Sequence, residues 1–200
     1  MLCVAVGLAA CDGSSTAAHP LTPASTFSDT RGTGSPAPST PTIATTGPNV
    51  HPGEKPPVLP PALVVNLPVG ADAFARYWIQ ALDWGYATTD STLAKSLFAP
   101  SCTGCARFLR NFIDLIRQQH QHYRGGRIAV TGTELMPTDH HAGSTEIVDV
   151  TVQQGGLKVI SASGAVIESA PQIENDVFRT WLRWDGHSWV VVDWKRVVVK

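Results

Sequence analysis

The chain has 200 residues, and ten of its fifteen prolines fall between His19 and Pro60, which leaves about 140 residues for a single folded domain. Its formal net charge is -1 and only 16% of its residues are charged, which argues against a nucleic-acid-binding protein held by phosphate contacts. The sequence has no apolar run of the length that spans a membrane and none of the common nucleotide, zinc-protease or hydrolase motifs. These observations exclude several classes of protein and assign no activity.

Residues 1–11 have the composition of an export signal. The stretch is uncharged and apolar, ends in small residues and is followed by a polar run that begins at Asp12, which is typical of the end of a secretory signal. The sequence LAAC at residues 8–11 resembles the bacterial lipobox, whose cysteine is acylated and becomes the new N-terminus. The resemblance implies a lipid anchor at Cys11, on the extracytoplasmic face of the cell membrane. No Lys or Arg precedes the apolar run, which a start codon placed too far downstream would explain.

Residues 12–61 are rich in Ser, Thr and Pro. Such a composition has too few apolar side chains to offset the entropy lost when a chain becomes ordered, so it predicts a disordered linker. As a coil, this linker would span roughly 35 to 40 Å. The globular domain is then expected over residues 62–200.

After residue 70, apolar residues recur every three or four positions, which predicts three helices. The first is expected over about residues 71–86. A short second helix follows the cap pair Thr89-Asp90 and stops at Pro100. The third is expected over about residues 103–123, ending at Gly125-Gly126.

Beyond Arg127 the apolar period changes to two, and β-branched residues become frequent. Strands are expected over residues 128–135, 145–153, 157–162, 176–184 and 189–199, with a hairpin turn at Asp185-Gly186 between the last two. Those two strands are each expected to turn one row of apolar residues to the core: Phe178, Leu182 and Trp184 in the first, and Val190, Val192 and Trp194 in the second. Helices followed by strands predict an α+β fold, with three N-terminal helices packed on one curved antiparallel sheet.

This order of elements, together with the sequence WDGHSWVVVDW at residues 184–194, is similar to the nuclear transport factor 2-like fold. That resemblance implies a sheet that wraps around the helices and leaves a conical cavity. More narrowly, the lipobox, the linker, the aromatic first helix and a Cys-x-x-Cys before a long helix resemble an actinobacterial lipoprotein family, domain of unknown function 6318. The resemblance covers residues 62–200 and implies a fold more than an activity.

Two cysteines, Cys102 and Cys105, remain if Cys3 is lost with the signal and Cys11 carries lipid. An even number of cysteines in an oxidising compartment predicts a disulfide. Because the loop it closes is short, the loop-entropy model gives it about 2 kcal/mol. A redox-active pair at a helix N-terminus is the alternative, although the βαβ setting of such pairs is absent from the predicted elements.

A zinc site is the other alternative for the two cysteines, with histidine ligands from His120, His122, His140 or His141. His120 and His122 would point to different sides of a helix, since two residues turn it by about 200°. The other two histidines fall in a polar loop. No metal and no other cofactor is therefore predicted.

Aromatic residues suggest where a ligand could bind. A cavity for a small hydrophobic ligand could be lined by Tyr77, Trp78, Trp181 and Trp194, although large aromatic side chains more often fill a core. A basic face on the third helix, made of Arg107, Arg110, Arg117 and Arg124, could contact anionic lipid headgroups or an acidic protein. Such a face is more often simply solvated.

Acid–base catalysis would need a titratable group held in an apolar setting. The candidates are Asp149, Asp193, Tyr77 and Tyr123. Strand alternation places both aspartates opposite the apolar rows, in solvent, so no catalytic residue is assigned.

The leading hypothesis is a membrane-anchored extracytoplasmic lipoprotein whose domain serves binding or assembly rather than catalysis. Its predicted partners are the membrane, through the lipid anchor, and a protein or small hydrophobic ligand that the sequence does not identify, with no nucleic acid. A carrier of a small hydrophobic ligand and a cavity enzyme of the dehydratase, cyclase or isomerase type are the alternatives.

Overall fold

The computed structural model describes residues 42–197, so the predicted signal segment with Cys11 lies outside the described residues, as do residues 198–200. The longest helix is α1, Pro68–Thr88. Proline at its first position suits the fixed φ of that residue, and the helix ends at Thr89, which has a left-handed backbone (φ 55°). The prediction of this helix is confirmed, with a start three residues earlier. None of the helices within residues 42–197 is both long and apolar enough to cross a membrane.

The helices after α1 are short: α2 (Thr92–Lys95), α3 (Thr103–Leu109) and α4 (Leu115–Gln118). A π-helical turn, Arg110–Asp114, joins α3 to α4, and residues 103–118 together are called the helical stretch below. The predicted third helix therefore ends at residue 118 rather than 123. The residues that follow it form a strand.

The described residues contain seven strands: β1 (His122–Gly125), β2 (Ile128–Met136), β3 (Glu146–Gln154), β4 (Leu157–Ile160), β5 (Val166–Ala170), β6 (Ile173–Trp184) and β7 (Trp189–Val197). One antiparallel sheet has the order β2-β3-β6-β7, and the other has the order β1-β4-β5. Five of these strands match the predicted ones to within a few residues, whereas β1 and β5 were not predicted.

The predicted fold class, three helices packed on one curved antiparallel sheet in a nuclear transport factor 2-like cone, is wrong. The strands form two antiparallel sheets, and among the described residues only α1 is a long helix, so the domain is mostly β. The error has two causes. A helical pattern extended to Tyr123 concealed β1, and every residue of β5 is exposed, so β5 lacks the alternation that reveals a strand.

The main core lies between α1 and one face of the four-stranded sheet, called the front face. Trp78 is fully buried there and packs edge-on against Trp194, with ring centroids 6.2 Å apart. A Cβ at Gly85 of α1 would lie 2.6 Å from Cδ1 of Ile113, the flexible end of that side chain, so α1 and the π-helical turn pack closely at this position.

A smaller cluster packs on the opposite, rear face of the same sheet. It contains Ala99, Ile147, Trp181 and Val192, and side chains alternate between the two faces along each strand. The loop at residues 137–145 crosses this face, since His141 of the loop packs against Trp181 with ring centroids 5.1 Å apart.

A β-bulge in β7 changes which of its residues face the main core. Trp181 pairs with Asp193 and Leu182 pairs with Val191, so Val192 is an extra residue opposite β6. As a result Val191 and Trp194 both lie in the main core, whereas Val192 belongs to the rear cluster. The predicted row is therefore right for Trp194 and wrong for Val190 and Val192, because strict alternation makes no allowance for an extra residue.

Residues 44–57, called the strap, contain no helix or strand but contact the folded elements at several points. Trp84 Nε1 donates to Ala44 O (2.9 Å), and the Asn49 amide exchanges two hydrogen bonds with the backbone of Gly125 (2.8 and 3.1 Å). The predicted division of the chain at residues 11 and 61 stays a prediction.

An ion-pair network also holds the strap. The Arg127 guanidinium contacts Glu54 of the strap and Asp83 of α1, and Asp83 in turn accepts a hydrogen bond from the backbone N–H of Ile128 (2.7 Å). The hydrogen bonds from Arg127 lower the pKa of Glu54 to about 2. The network therefore ties the strap to α1 and to the start of β2.

Candidate binding cleft

A cleft of about 530 Å³ lies between the helical stretch and the front face of the four-stranded sheet, a volume typical of small-molecule sites. Most of the lining is apolar and comes from three elements. α1 contributes Leu82 and Tyr86, the helical stretch contributes Phe108 and Phe112, and the sheet contributes Phe178 and Trp194.

Aromatic contacts fix one wall of the cleft. Phe178 stacks on Trp194 (centroids 4.8 Å apart, planes at 17°), and Phe108 meets the same indole edge-on (4.7 Å, 77°). Phe112 lies against Phe108, with centroids 4.9 Å apart. Rings in these geometries favour one arrangement over others, so this wall is preformed.

The π-helical turn brings Phe112 to the cleft. The buried side of the helical stretch consists of Cys105, Leu109, Ile113 and Ile116, and Phe112 stands outside this row with 47% of its surface exposed. In a regular helix Phe112 would fall on the same apolar stripe as Leu109 and Ile116, because a regular helix has no extra residue in its turn. Tyr123 donates a hydrogen bond to Phe112 O (2.5 Å), which holds the turn in place.

The rim of the cleft is charged. Arg196 Nε donates to Asp176 Oδ1 (2.7 Å), and Asp176 is buried whereas Arg196 is largely exposed. Arg107 is exposed at the start of the helical stretch and has no ion-pair partner within residues 42–197. Two guanidinium groups and one carboxylate therefore face the cleft, so the excess charge there is positive. Lys195 also contributes to the lining, but its ammonium lies over the ring of Trp181.

Tyr86 keeps its wall of the cleft uncharged. A tyrosine hydroxyl of ordinary pKa is already protonated at physiological pH, and burial raises the pKa of the Tyr86 phenol further. Among the residues that line the cleft, an anionic ligand would thus meet one negative group, the Asp176 carboxylate, which already accepts a hydrogen bond from Arg196.

The two predicted disulfide cysteines lie at the start of the helical stretch. Their Sγ atoms are 2.03 Å apart, at disulfide distance, and both residues are buried. The backbone N–H of Cys105 also donates to Cys102 Sγ (3.2 Å). The pair closes the first turn of α3, two residues before Arg107, and so fixes the start of the helix that carries Arg107 and Phe108 to the cleft.

The four residues predicted to line a cavity lie in different places. Trp194 lines the cleft, and Trp78 is buried directly behind it. Tyr77 lies in the main core with its hydroxyl 3.5 Å from Pro57 O, and burial raises its pKa. Trp181 belongs to the rear cluster, where its Nε1 donates to Asp139 Oδ1 (3.0 Å).

The four predicted basic residues do not share one helix. Arg107 lies on α3 and Arg110 in the π-helical turn, both exposed. Arg117 of α4 pairs with Asp90 (2.8 Å), and Arg124 lies on β1. Of the four, only Arg107 lines the cleft.

None of the residues weighed for acid–base catalysis lines the cleft, and each makes other contacts. Asp149 receives two hydrogen bonds of 2.7 Å from Arg179 on the rear face. Asp193 Oδ2 lies 2.7 Å from His141 Nε2, and Tyr123 donates to Phe112 O as described above. No three His, Cys, Asp or Glu side chains of residues 42–197 are grouped so that they could hold a metal ion.

Asp176 and Arg196 are the charged site residues that sequence reasoning missed, and it also did not place the aromatic residues Tyr86, Phe108, Phe112 and Phe178 at a cavity. A usable signal was present, because Asp176 precedes Phe178 by two positions and Arg196 follows Trp194 by two. Residues two apart in a strand share a face. Asp176 therefore lies on the same side of β6 as Phe178, and Arg196 on the same side of β7 as Trp194. Two charged residues placed in this way next to core aromatics indicate a polar rim at the end of the core.

Comparison with known proteins gives a family and a distant likeness to solved structures. The model of the family of unknown function DUF6318 matches residues 49–195. No curated protein matches the chain. Among solved structures, the intermembrane space region of the chloroplast protein ARC6 is similar, with 10% sequence identity and a TM-score of 0.44 over 68% of this chain and 99% of that one.

Proposed function

Since the chain belongs to the family of unknown function DUF6318, which assigns it no activity, we propose from the cleft that it is a lipid-anchored extracytoplasmic binding protein for a small amphiphile. The ligand has an apolar body, which the aromatic walls accommodate, and an anionic group, which the rim attracts. The supporting observation is a preformed apolar cleft with an unpaired guanidinium at its rim. Of the functions considered from the sequence, the cleft favours a carrier of a small ligand over a domain that serves only in protein assembly.

The location rests on the sequence of residues 1–11, outside the described part of the chain. Acylation of Cys11 requires that the native protein start at residue 11 and carry two or three acyl chains, which anchor a protein firmly where one chain would not. Mass spectrometry of the protein isolated from its native membrane tests this. An unmodified Met1 on that protein would remove the anchor from the proposal.

Binding is tested with 1-anilinonaphthalene-8-sulfonate, an aromatic anion whose fluorescence rises in apolar surroundings, and with palmitate as a competitor. Phe112→Ser removes part of the wall, and Arg107→Glu reverses the charge at the rim. We expect each change to weaken dye binding about tenfold, because a buried aromatic or a charge-assisted contact contributes 1.5 kcal/mol or more.

Matched controls lie on the same helical stretch. Leu115→Ser removes a side chain about as exposed as Phe112 (42% against 47%), and Arg110→Glu makes the same charge change as Arg107→Glu, yet neither residue lines the cleft. Both should leave dye binding unchanged. Equal losses in controls and cleft variants, or binding that palmitate does not displace, would contradict the proposal.

A further inference from the structure

We propose that residues 58–69 insert into the interfacial layer of the lipid bilayer; this inference rests on the membrane location in the proposed function. The segment is called the apolar loop, and it includes the 3-10 turn Pro61–Val64 and the first two residues of α1. The loop would be a second membrane contact beside the acyl chains. It would set the orientation of the domain, which an anchor at the end of a linker does not.

Exposed aliphatic side chains are concentrated in this loop. Residues 42–197 have eleven exposed large hydrophobic residues, and six of them fall within the loop: Val58, Leu59, Val64, Val65, Leu67 and Val69. Val58 is 83% exposed and Val64 is 66% exposed. Single exposed apolar residues are ordinary on a soluble surface, whereas a contiguous group of them marks an interaction site.

The backbone of the loop holds these side chains outward. Leu63 is buried and anchors the middle of the loop, and Trp189 Nε1 donates to Val65 O (2.9 Å). A Cβ at Gly70 would lie 2.1 Å from Val65 O, so the close approach of the loop to the start of α1 requires glycine. The loop is thus a built feature with its apolar side chains turned to solvent.

The chemistry of the loop fits lipid better than a protein. Residues 56–71 contain no charged side chain and a single polar one, Asn66. Centres of protein interfaces are rich in Trp, Tyr and Arg and are surrounded by polar groups, which this segment lacks. Uncharged aliphatic groups gain free energy on entering the acyl boundary, and exposed Lys55 at the edge of the segment can remain among the headgroups.

The predicted anchor would bring the loop close to a membrane. About 30 residues separate Cys11 from the first described residue, and the coil that their composition predicts would span about 30 Å. With Cys11 acylated, the loop would stay within that distance of the bilayer, so even weak partitioning would keep it inserted. Membrane contact leaves the cleft accessible, because Trp189 beside the loop and Arg196 at the cleft lie about 20 Å apart along β7.

The test removes the lipid anchor so that only the loop is measured. The mature chain, residues 11–200, is prepared with Cys11→Ala and sedimented with vesicles of phosphatidylcholine. The loop variant carries Val58→Ser, Val64→Ser and Leu67→Ser. Leu67 precedes the first turn of α1 as its N-cap, where serine is a preferred residue, so this variant is expected to fold.

We expect the unacylated chain to bind phosphatidylcholine vesicles. The loop variant should bind at least about tenfold more weakly, because each exposed aliphatic side chain adds to partitioning. The matched control carries Leu135→Ser, Val166→Ser and Ile167→Ser, which remove a similar exposed apolar surface elsewhere. This control should bind as the parent does. Added phosphatidylglycerol should change the binding little, since the loop itself has no charge.

Three results would overturn the inference: no binding by the parent, equal losses in both triple variants, or binding that requires phosphatidylglycerol. Sedimentation velocity without vesicles tests whether the loop instead binds a second copy of the chain. A dimer that is present in the parent and absent in the loop variant would also overturn the inference. Acylation of Cys11 and dye binding in the cleft are measured without vesicles. A failure of the inference is therefore distinct from a failure of the proposed function.

Discussion

The two faces of the four-stranded sheet both carry a buried tryptophan, but they are covered differently. On the rear face, Trp181 donates its Nε1 to Asp139 and lies beneath the ammonium of Lys195, 4.7 Å from the ring centroid. On the front face, the Nε1 of Trp194 has no hydrogen-bond partner in the described part of the protein, and the cleft lies beside it. An aromatic side chain alone therefore does not indicate a cavity.

The cover of each face explains the difference. A loop closes the rear face with short polar contacts, among them the pair of His141 and Asp193. The front face is covered by the helical stretch, whose π-helical turn holds Phe112 partly exposed beside the sheet. We infer that the rear face serves stability and the front face serves binding. The predictions below test that separation.

The largest expected effect is on the rear face. Arg179→Leu leaves the carboxylate of Asp149, whose side chain is only 13% exposed, without its bidentate partner. Because a mostly buried charge without a partner is costly, the free energy of unfolding should fall by about 2 kcal/mol. Dye binding in the cleft, measured well below the unfolding midpoint, should not change.

The double variant Asp149→Val, Arg179→Val is the control for that prediction. It removes both charges and places β-branched residues in strands, so most of the lost stability should return. If the single variant weakened dye binding while remaining folded, the two faces would not be separable as stated.

Part of this architecture could be predicted from the sequence. Five strands and the turn at Asp185-Gly186 follow from alternation and turn chemistry, which act locally. The bulge at Val192 and the π-helical turn each insert one residue into a regular pattern, and nothing in the local sequence compels either insertion. Both lie where the chain packs against elements distant in sequence, as where Ile113 of the π-helical turn lies close to Gly85 of α1, and a local pattern does not contain such packing.

The site was less predictable than the fold. Its tryptophan, Trp194, and one of its arginines, Arg107, were among the predicted candidates. The pairing of Asp176 with Arg196 depends on the register of β6 and β7, which places residues 20 apart in sequence side by side. Two separate sheets were missed because a four-residue strand such as β1 carries too short a pattern to outweigh a preceding helix.

Removing the disulfide should have a smaller effect on stability but should act on the front face. With Cys102→Ala and Cys105→Ala, the loop-entropy model gives a loss of about 2 kcal/mol or less. Since the pair fixes the start of α3, dye binding should weaken as well, in contrast to Arg179→Leu. Denaturant unfolding and dye titration of the same samples would show this. A dye affinity equal to that of the parent would mean that the disulfide does not affect the cleft.

The smallest expected effect is a pH dependence of the free energy of unfolding, which comes from Glu54 of the strap. The pKa of Glu54 is lowered from its ordinary value of 4.5 to about 2 by hydrogen bonds from Arg127. A carboxyl whose pKa is lower in the folded state stabilises the fold above its unfolded pKa, and this stability is lost as the pH falls from about 4.5 to about 2. Because Glu54 is partly solvated, we expect about 1 kcal/mol.

Glu54→Gln measures that contribution directly. Urea unfolding at pH 6 should show the variant less stable than the parent, and the difference should disappear as the pH approaches 2, because the parental carboxyl is then protonated as well. Glu134→Gln, on an exposed residue of β2, should show no such convergence. A constant difference across this range would mean that Glu54 acts by packing rather than by charge, and that the strap does not depend on Arg127 for its hold on the start of β2.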